Sequence, residues 1–431
     1  MKMPNLDPRL RLMQQAHMKD KIVLIRVDHN VVKSGRIQDP YRIDATLGTL
    51  YGIAARGGRP ILMTHIGRPR DKKTGKISCR ETESVLPIVE YLSRKLAVTV
   101  RAIDFPIDPD RGIVRPDDAI APAMQDLASG KIDMIYLPNS RWFNGEEAKG
   151  PERAALADEL AGPADLYVND AFGSYRAHAS TFDIASRLPS YAGALLQKEL
   201  ANLNRVLEPK RPFAAVVAGA KYDTKIGPLR ALYGKVDHLI LGGIIYNTYL
   251  AAKYDIEIAG VKEEDKALAM EMVRMDEGQG KILEPGRLVA CNSIKKRTAD
   301  NNRSIDIRDL GGLTSDDYLL DVDPRSFDND AIRDALGSAN TIFVNAVMGM
   351  MPDFFEGSRA LYKLINANRS AMKLFGGGDT LQALRALCPG EYLAGLDAPD
   401  VYFFTGGGSV LAAIEQGTPY GLEPVKALMN E

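Results

Sequence analysis

Short apolar runs alternate with longer helical patterns through most of the chain, and this alternation constrains the fold more than any other feature. Strands are expected at IVLIRV (22–27), ILMT (61–64), MIYL (134–137), LYVN (166–169), FAAVVA (213–218), HLIL (238–241), TIFV (341–344), MKLF (372–375) and VYFF (401–404). Amphipathic stretches lie between them at 42–56, 82–96, 152–160 and 379–387, the first with apolar residues at 43, 47, 50, 51 and 54 and a Gly57-Gly58 stop. Strand and helix in alternation read as a parallel α/β architecture. At ~150 residues per domain, 431 residues make two large α/β domains or nearly three ordinary ones. The segment 191–210 has strong helical periodicity and ends at Pro209, before a new strand at Phe213. It reads as a helix connecting two α/β halves, although a core helix would show much the same pattern. The region 254–330, with charged and Asp-rich loops, receives little assignment, and 335–352 reads as loop, strand and loop.

The residues just after each strand carry the functional signal, because ligands of open parallel sheets gather outside the carboxyl ends of the strands. Nine strand candidates run into a polar or glycine-rich group: Asp28/Asn30, His65/Arg68, Arg141, Arg176, Lys221, Gly242-Gly243, Asn345, Gly376–Thr380 and Thr405–Gly408. The first four precede the connecting helix and are rich in arginine; the last five come after it and are rich in glycine. One half is built to hold an anion with side chains, the other to hold phosphates with backbone.

Charge removes competing classes. Lys+Arg 55 against Asp+Glu 56 leaves a formal net charge of -1, so no general electrostatic case exists for nucleic acid or an anionic membrane as partner. Cys79, Cys291 and Cys388 are too few and too scattered for a disulfide framework, and no CxxC pair suggests a thiolate zinc site. The N-terminus lacks an apolar signal core, and a cytoplasmic protein is expected.

In the first half, Arg42, His65, Arg68, Arg141 and Arg176 form one constellation, to which His178 could add. Guanidinium groups bind phosphate and carboxylate bidentately, so converging arginines suit a small, highly charged anion. Any one of them alone reads as a solvated surface charge; four groups at strand ends favour the shared anion. Asp28 and Asn30 would hold a hydroxyl, which makes a hydroxylated acid a better ligand than bare phosphate. In the second half, FGGGDT (375–380) and TGGGS (405–409) each lead from a strand into a helix. Glycine lets backbone approach a phosphate, and a helix N-terminus offers free N–H donors. Asp379 is either a Mg²⁺ ligand or an ordinary N-cap. Lys221 and Lys225 in GAKYDTK (219–225) could both reach a polyphosphate. Gx4GK[ST], GxGxxG, HExxH and GxSxG are all absent. Neither cluster contains an obvious general base. A carboxylate nucleophile has no proton to lose, so a kinase acting on a carboxylate is coherent with these residues.

LIRVDHN (24–30), YRIDA (41–45), THIGRP (64–69), LPNSRWF (137–143), YVNDAFGSYRAHAST (167–181), RPFAAVVAGAKYDTK (211–225), LFGGGDT (374–380) and FFTGGGS (403–409) resemble the successive motifs of phosphoglycerate kinase, in the family's order. The resemblance implies reversible phosphoryl transfer between 1,3-bisphosphoglycerate and ADP, giving 3-phosphoglycerate and ATP, with Mg²⁺ entering as the Mg-nucleotide. By the same resemblance Asp28, Asn30, Arg42, His65, Arg68, Arg141 and Arg176 match substrate positions. Lys221, Lys225, Gly242, Asn345, Gly376, Gly377, Gly378, Asp379 and Thr380 match nucleotide positions, with Asp379 on the metal. Arg42, Lys221, Gly378 and Gly407 match the catalytic set.

The chain also departs from the family. His29 stands where Phe is usual and Val32 where Pro is usual, and the glycine triplet after the strand at 238 ends in Ile244. VNAVMGMMPDFFEG (344–357) matches the family's loop only at Asn345 and Gly349, and Pro352 occupies the position of its ribose-contacting Glu. Asp353 or Glu356 could substitute. The expectation is therefore two doubly wound, mainly parallel-sheet, Rossmann-like domains joined by a helix, with a hinge and a central cleft. They are a phosphoglycerate-binding domain at 1–187 with the tail 417–431, a connecting helix and hinge at 188–210, and a nucleotide-binding domain at 211–416. A monomer is expected. The remaining alternatives are a catalytically quiet scaffold derived from the family and, suggested only by glycine-rich strand ends, a nicotinamide-dependent oxidoreductase.

Overall fold

A computed structural model describes residues 6–223, 225–294, 301–314 and 316–430. Thr224 of the GAKYDTK segment, and the ends of the expected domains at 1–5 and 431, lie outside them. The chain divides into two compact units, Met1–Ala201 with Tyr420–Glu431, and Asn202–Pro419.

The first unit begins with β1 (Ile22–Val27), followed by a small hairpin of β2 (Val32–Lys33) and β3 (Arg36–Ile37). β4 (Arg59–Met63), β5 (Val100–Ala102), β6 (Met134–Tyr136), β7 (Leu166–Asp170) and β8 (Ser190–Ala192) complete a six-stranded sheet in the order β5-β6-β4-β1-β7-β8. Every pairing in it is parallel. β1 lies inside, with Ile25 opposite Leu62 on one side and Val168 on the other, all three without solvent exposure. A strand covered on both faces needs an apolar run rather than an alternating one, which is why IVLIRV reads so clearly. Each such buried aliphatic side chain contributes about 1.5–3 kcal/mol of transfer free energy. The C-terminal segment belongs to this unit: Asn430 N–H donates to Arg9 O at 2.8 Å and Arg11 Nη2 to Ala427 O at 2.7 Å.

The second unit opens with β9 (Phe213–Gly219), β10 (His238–Gly242) and β11 (Ile282–Leu283). β12 (Arg287–Cys291), β13 (Asn302–Asp306) and β14 (Tyr318–Val322) form a separate antiparallel sheet in the order β13-β12-β14. β15 (Thr341–Asn345), β16 (Met372–Gly376) and β17 (Val401–Phe404) then return to the main sheet, whose order is β11-β10-β9-β15-β16-β17, all parallel. In both units the first strand lies inside and later strands add on either side. The order reverses between β1 and β7 and between β9 and β15, and these are the topological switch points. The expected α/β class holds.

Several local expectations change. The helix expected over 42–56 is two helices, Tyr41–Ala45 and Leu47–Ala54, broken at Thr46, whose hydroxyl donates back to Ile43 O at 2.8 Å. Such back-bonding competes with the helix ladder and bends it. The helix expected from Thr82 starts at Leu86, after a 3-10 turn at Glu81–Glu83. Residues 335–338, expected as loop, end the helix Asp330–Ser338. The sparsely assigned region 254–330 contains the helix Glu263–Asp276 and the antiparallel sheet; β13 is mostly polar and half exposed, so it lacks the apolar signal of the other strands. Among the described residues no helix is long and apolar enough to cross a membrane.

Candidate functional site

The nine polar groups all lie at or just beyond carboxyl ends of strands, four in the first unit and five in the second. In the first unit Asp28 comes directly after β1 and is almost fully buried, at 4% exposure. Arg42, on the short helix Tyr41–Ala45, faces it with Nη1 3.4 Å from Oδ2. That distance is long for a charge-assisted bond, so the pair holds the guanidinium near the strand end without locking it. Asn30 Oδ1 accepts from Gly67 N–H at 3.0 Å, tying the loop after β1 to the loop after β4. Arg141, on a 3-10 turn after β6, donates through Nη1 to Gly67 O. Its Nε is buried 3.2 Å from Glu147 Oε1 yet lacks hydrogen-bond geometry, and burial lowers its pKa.

Sequence reasoning missed Arg26, the group on which this cluster rests. It lies within β1, only 1% exposed, and donates to Ser180 Oγ at 2.8 Å and to Val27 O. Ser180 and Ser140 both donate to the buried carboxylate of Glu146. Arg26 Nη2 lies 3.1 Å from His65 Nδ1. An arginine can only donate, so Nδ1 accepts, and the His65 proton sits on Nε2. Burial, then the charges of Arg26, Arg141 and Arg42, push the His65 pKa well below the ordinary histidine range. His65 therefore offers a neutral N–H donor inside a ring of guanidiniums. Burial likewise lowers His178 to about 4, partly opposed by Glu147. Arg68 and Arg176 are exposed, and among the described residues neither guanidinium has a hydrogen bond or ion pair. The structure thus joins Asp28, Asn30, Arg42, His65 and Arg141 through contacts or electrostatic coupling, and Arg68 by its charge on Arg141. Arg176 shows no such link. The arginine inside the otherwise apolar IVLIRV was the signal that could have revealed Arg26, since a charge there needs a partner.

In the second unit Asn345 joins three strand ends. Its Oδ1 accepts from Lys225 Nζ at 2.6 Å and its Nδ2 donates to Gly376 O at 2.7 Å. Lys225 also donates to Ala218 O at 3.0 Å, and burial lowers its pKa to about 8 against the opposing charge of Asp379. Lys221 is exposed and has no hydrogen bond or ion pair among the described residues. Three helices, Gly243–Tyr254, Gly378–Leu387 and Gly407–Gln416, start at strand ends on glycine N-caps, and no side chain caps them. A glycine brings no side-chain acceptor to the first N–H groups of its helix. Gly377 is the N-cap at φ +107°, so Asp379 is the second helical residue and the N-cap alternative falls. Asp379 is exposed. A Cβ on Gly407 would lie 2.5 Å from Gly377 Cα, so the two glycine turns pack backbone against backbone. In the loop after β15, Met348 is buried against Gly242, while Met350, Pro352 and Asp353 are exposed. A cavity of about 350 Å³ lies beside the helix Gly243–Tyr254, lined in part by Ile256, Ile258, Val261, Leu310 and Leu313.

A family model described as Phosphoglycerate kinase matches residues 13–417. The phosphoglycerate kinase of Dictyoglomus turgidum is 34% identical over 405 residues, covering 92% of this chain and 93% of that protein. That of Thermus thermophilus is 34% identical over 417 residues, covering 94% and 97%. Among solved structures, phosphoglycerate kinase from Coxiella burnetii matches with a TM-score of 0.73 at 28% identity, over 97% of this chain and 98% of that one. The Pyrococcus horikoshii enzyme has the same TM-score at 21% identity and shares the fold.

Lys225 gives a measurable consequence. Direct NMR titration of its Nζ should find a pKa near 8 in the ligand-free protein, so the ammonium loses its proton as pH rises through that value. Asn345→Asp places a negative charge where Oδ1 now accepts and should raise the pKa by roughly 1–3 units. A wild-type value in the ordinary lysine range would contradict the buried setting.

Proposed function

The chain belongs to the phosphoglycerate kinase family, and on that premise we propose that its first unit holds the phosphoglycerate and its second the Mg-nucleotide. It is a phosphotransferase: a phosphoryl group passes reversibly between 1,3-bisphosphoglycerate and ADP, giving 3-phosphoglycerate and ATP, the family's glycolytic step. The observation that carries the assignment of halves is the contrast at the two switch points. Guanidinium and imidazole donors gather at one, lysines and uncapped helix starts at the other.

In this reading His65 Nε2–H, Arg68, Arg141 and Arg176 hold the phosphate that does not react, while Asp28 and Asn30 orient the acid and its hydroxyl. The substrate carboxylate attacks the terminal phosphorus of ATP; one P–O bond forms as the bond to ADP breaks, and no proton moves. Arg42, Lys221 and the N–H groups near Gly378 and Gly407 neutralise the charge on the transferring group. Lys225, Gly242, Asn345, Gly376, Gly377 and Thr380 shape the nucleotide side, and the 350 Å³ cavity takes the base.

Among the described residues no cluster of three or more His, Cys, Asp or Glu could cage a metal alone. Mg²⁺ commonly binds one or two carboxylates plus substrate phosphates, so the single exposed Asp379 at a helix start fits. When bound with the nucleotide, the ion supplies charge neutralisation to the phosphates. Under the same reading the enzyme works as a cytoplasmic monomer with small molecules as its partners.

A coupled assay tests the whole reading. Arg42→Ala should lower kcat by on the order of 100-fold with little change in KM for 3-phosphoglycerate, as for loss of an interaction made in the transition state. Arg68→Ala should chiefly raise that KM. An unaltered kcat in Arg42→Ala would remove the residue from catalysis.

Ribose recognition is open to a direct comparison. With Pro352 in place of a carboxylate, ATP and its 2′- and 3′-deoxy analogues should differ by less than the roughly 1.5–3 kcal/mol of a charged hydrogen bond. Strong rejection of both analogues would show that Asp353, Glu356 or another group makes that contact.

In-line transfer needs the reacting oxygens about 3–3.5 Å apart, so the two units are proposed to close during turnover by a hinge at 188–210. Small-angle scattering should show a smaller radius of gyration with both ligands than with neither. A constant value in an active enzyme would rule this out.

A further inference from the structure

Arg42 sits on a helix only five residues long, too short to hold its own orientation, and its pairing with Asp28 is loose at 3.4 Å. Something else must fix it. On its outer side Asp44 accepts from Tyr91 Oη at 2.7 Å and from Lys95 Nζ at 3.1 Å. On its inner side stands His29, with no solvent exposure. His29 Nε2 lies 3.0 Å from Thr46 Oγ1, and Nδ1 lies 2.9 Å from Tyr136 Oη on β6. Its backbone N–H donates to Thr64 Oγ1 at 2.9 Å, beside β4. Because the Thr46 hydroxyl hydrogen goes to Ile43 O, Oγ1 must accept from Nε2–H, which leaves Nδ1 to accept from Tyr136. The direction of every bond in the chain Tyr136–His29–Thr46–Ile43 is thereby fixed. Burial keeps the imidazole neutral, with its pKa lowered to about 3, so the brace persists across the working pH range.

We infer that His29 is a positioning residue for phosphoryl transfer: acting through Thr46, it sets the break after the short helix and so the direction in which Arg42 reaches the reacting group. This rests on the catalytic reading of Arg42.

The test is steady-state kinetics on a set of variants. His29→Phe keeps the volume and removes both ring hydrogen bonds. It should lower kcat by on the order of 10-fold with KM for 3-phosphoglycerate changed less than about 3-fold, since small displacements of a reacting group cost rate rather than binding. His29→Gln, whose side-chain amide can donate where Nε2–H now does, should recover most of the loss, and Thr46→Val should reproduce it. In an Arg42→Ala background, His29→Phe should cause no further fall in kcat, the non-additivity expected of two residues acting as one unit. If His29→Phe does not fold, His29→Asn, which keeps an acceptor toward Tyr136 and withdraws the donor from Thr46, takes its place. An unchanged kcat, failure of glutamine to restore activity, or an equal loss with and without Arg42 would overturn the inference and leave the Arg42 reading standing. A normal kcat in Arg42→Ala would overturn both.

Discussion

A parallel sheet covered on both faces tolerates charged groups only at the ends of its strands, and both units of this chain are organised by that constraint. Strands β1, β4, β7, β9, β15 and β16 are almost wholly buried, so each becomes polar only where it leaves the sheet. Because all the main-sheet pairings are parallel, those exits fall on one edge of each sheet. The switch points at β1/β7 and β9/β15 then open the edge where the next helices depart to opposite faces. Two buried cations are exceptions: Lys373, near the start of β16 and paired with Asp400, and Arg26. Arg26 lies inside β1, stabilised by Ser180, Val27 O and His65, and it fixes the tautomer of His65. A buried charge that lost these partners would cost several kcal/mol, so the candidate site and the core of the first unit share one network.

The two sites solve the same electrostatic problem differently. In the first unit, like charges are brought together around a buried imidazole. Arg26, Arg42 and Arg141 each disfavour a proton on His65, and burial disfavours the charge on Arg141 itself. Under the proposed reading an arriving anion would relieve both penalties, and the neutral His65 would donate without first being charged. In the second unit the positive potential comes mainly from backbone: three uncapped helix starts, with Lys225 held back on Asn345 and Lys221 projecting. Side chains suit a small acid whose shape must be recognised, because guanidinium geometry is specific. Backbone donors suit a polyphosphate, which any tight glycine turn can approach.

How much of this was legible depended on the length scale of each signal. The long apolar strands and the residues just after them could be read directly, because burial on both faces leaves an uninterrupted hydrophobic run. Strands of two or three residues at the sheet edges, such as β5, β8 and β11, are too short to carry a pattern. The break at Thr46 was invisible because apolar residues keep helical spacing across it; only the Thr46 hydroxyl and the imidazole of His29 create it. His29 itself read as a departure from a family pattern with no consequence attached. Arg26 was hidden for a related reason: its partner Ser180 is 154 residues away in sequence, and Glu146 meets the same serine 34 residues on. Contacts of that kind belong to the tertiary structure alone.

Glycine was legible as a type but not in its reasons. Gly377 needs its positive φ, since an L side chain there would be strained and would press on Asn345. Gly407 has no unusual dihedral; its constraint is the backbone of Gly377 against it. Gly378, between them in the same run of motifs, meets nothing within 4 Å of a Cβ. Packing therefore makes no demand for glycine at Gly378, which stands exposed as the first residue of its helix. Three glycines that look equivalent in sequence thus serve three purposes: a turn, a close approach and an opening above a helix start. That division separates the two glycines that the packing of the turns requires from the one that it does not.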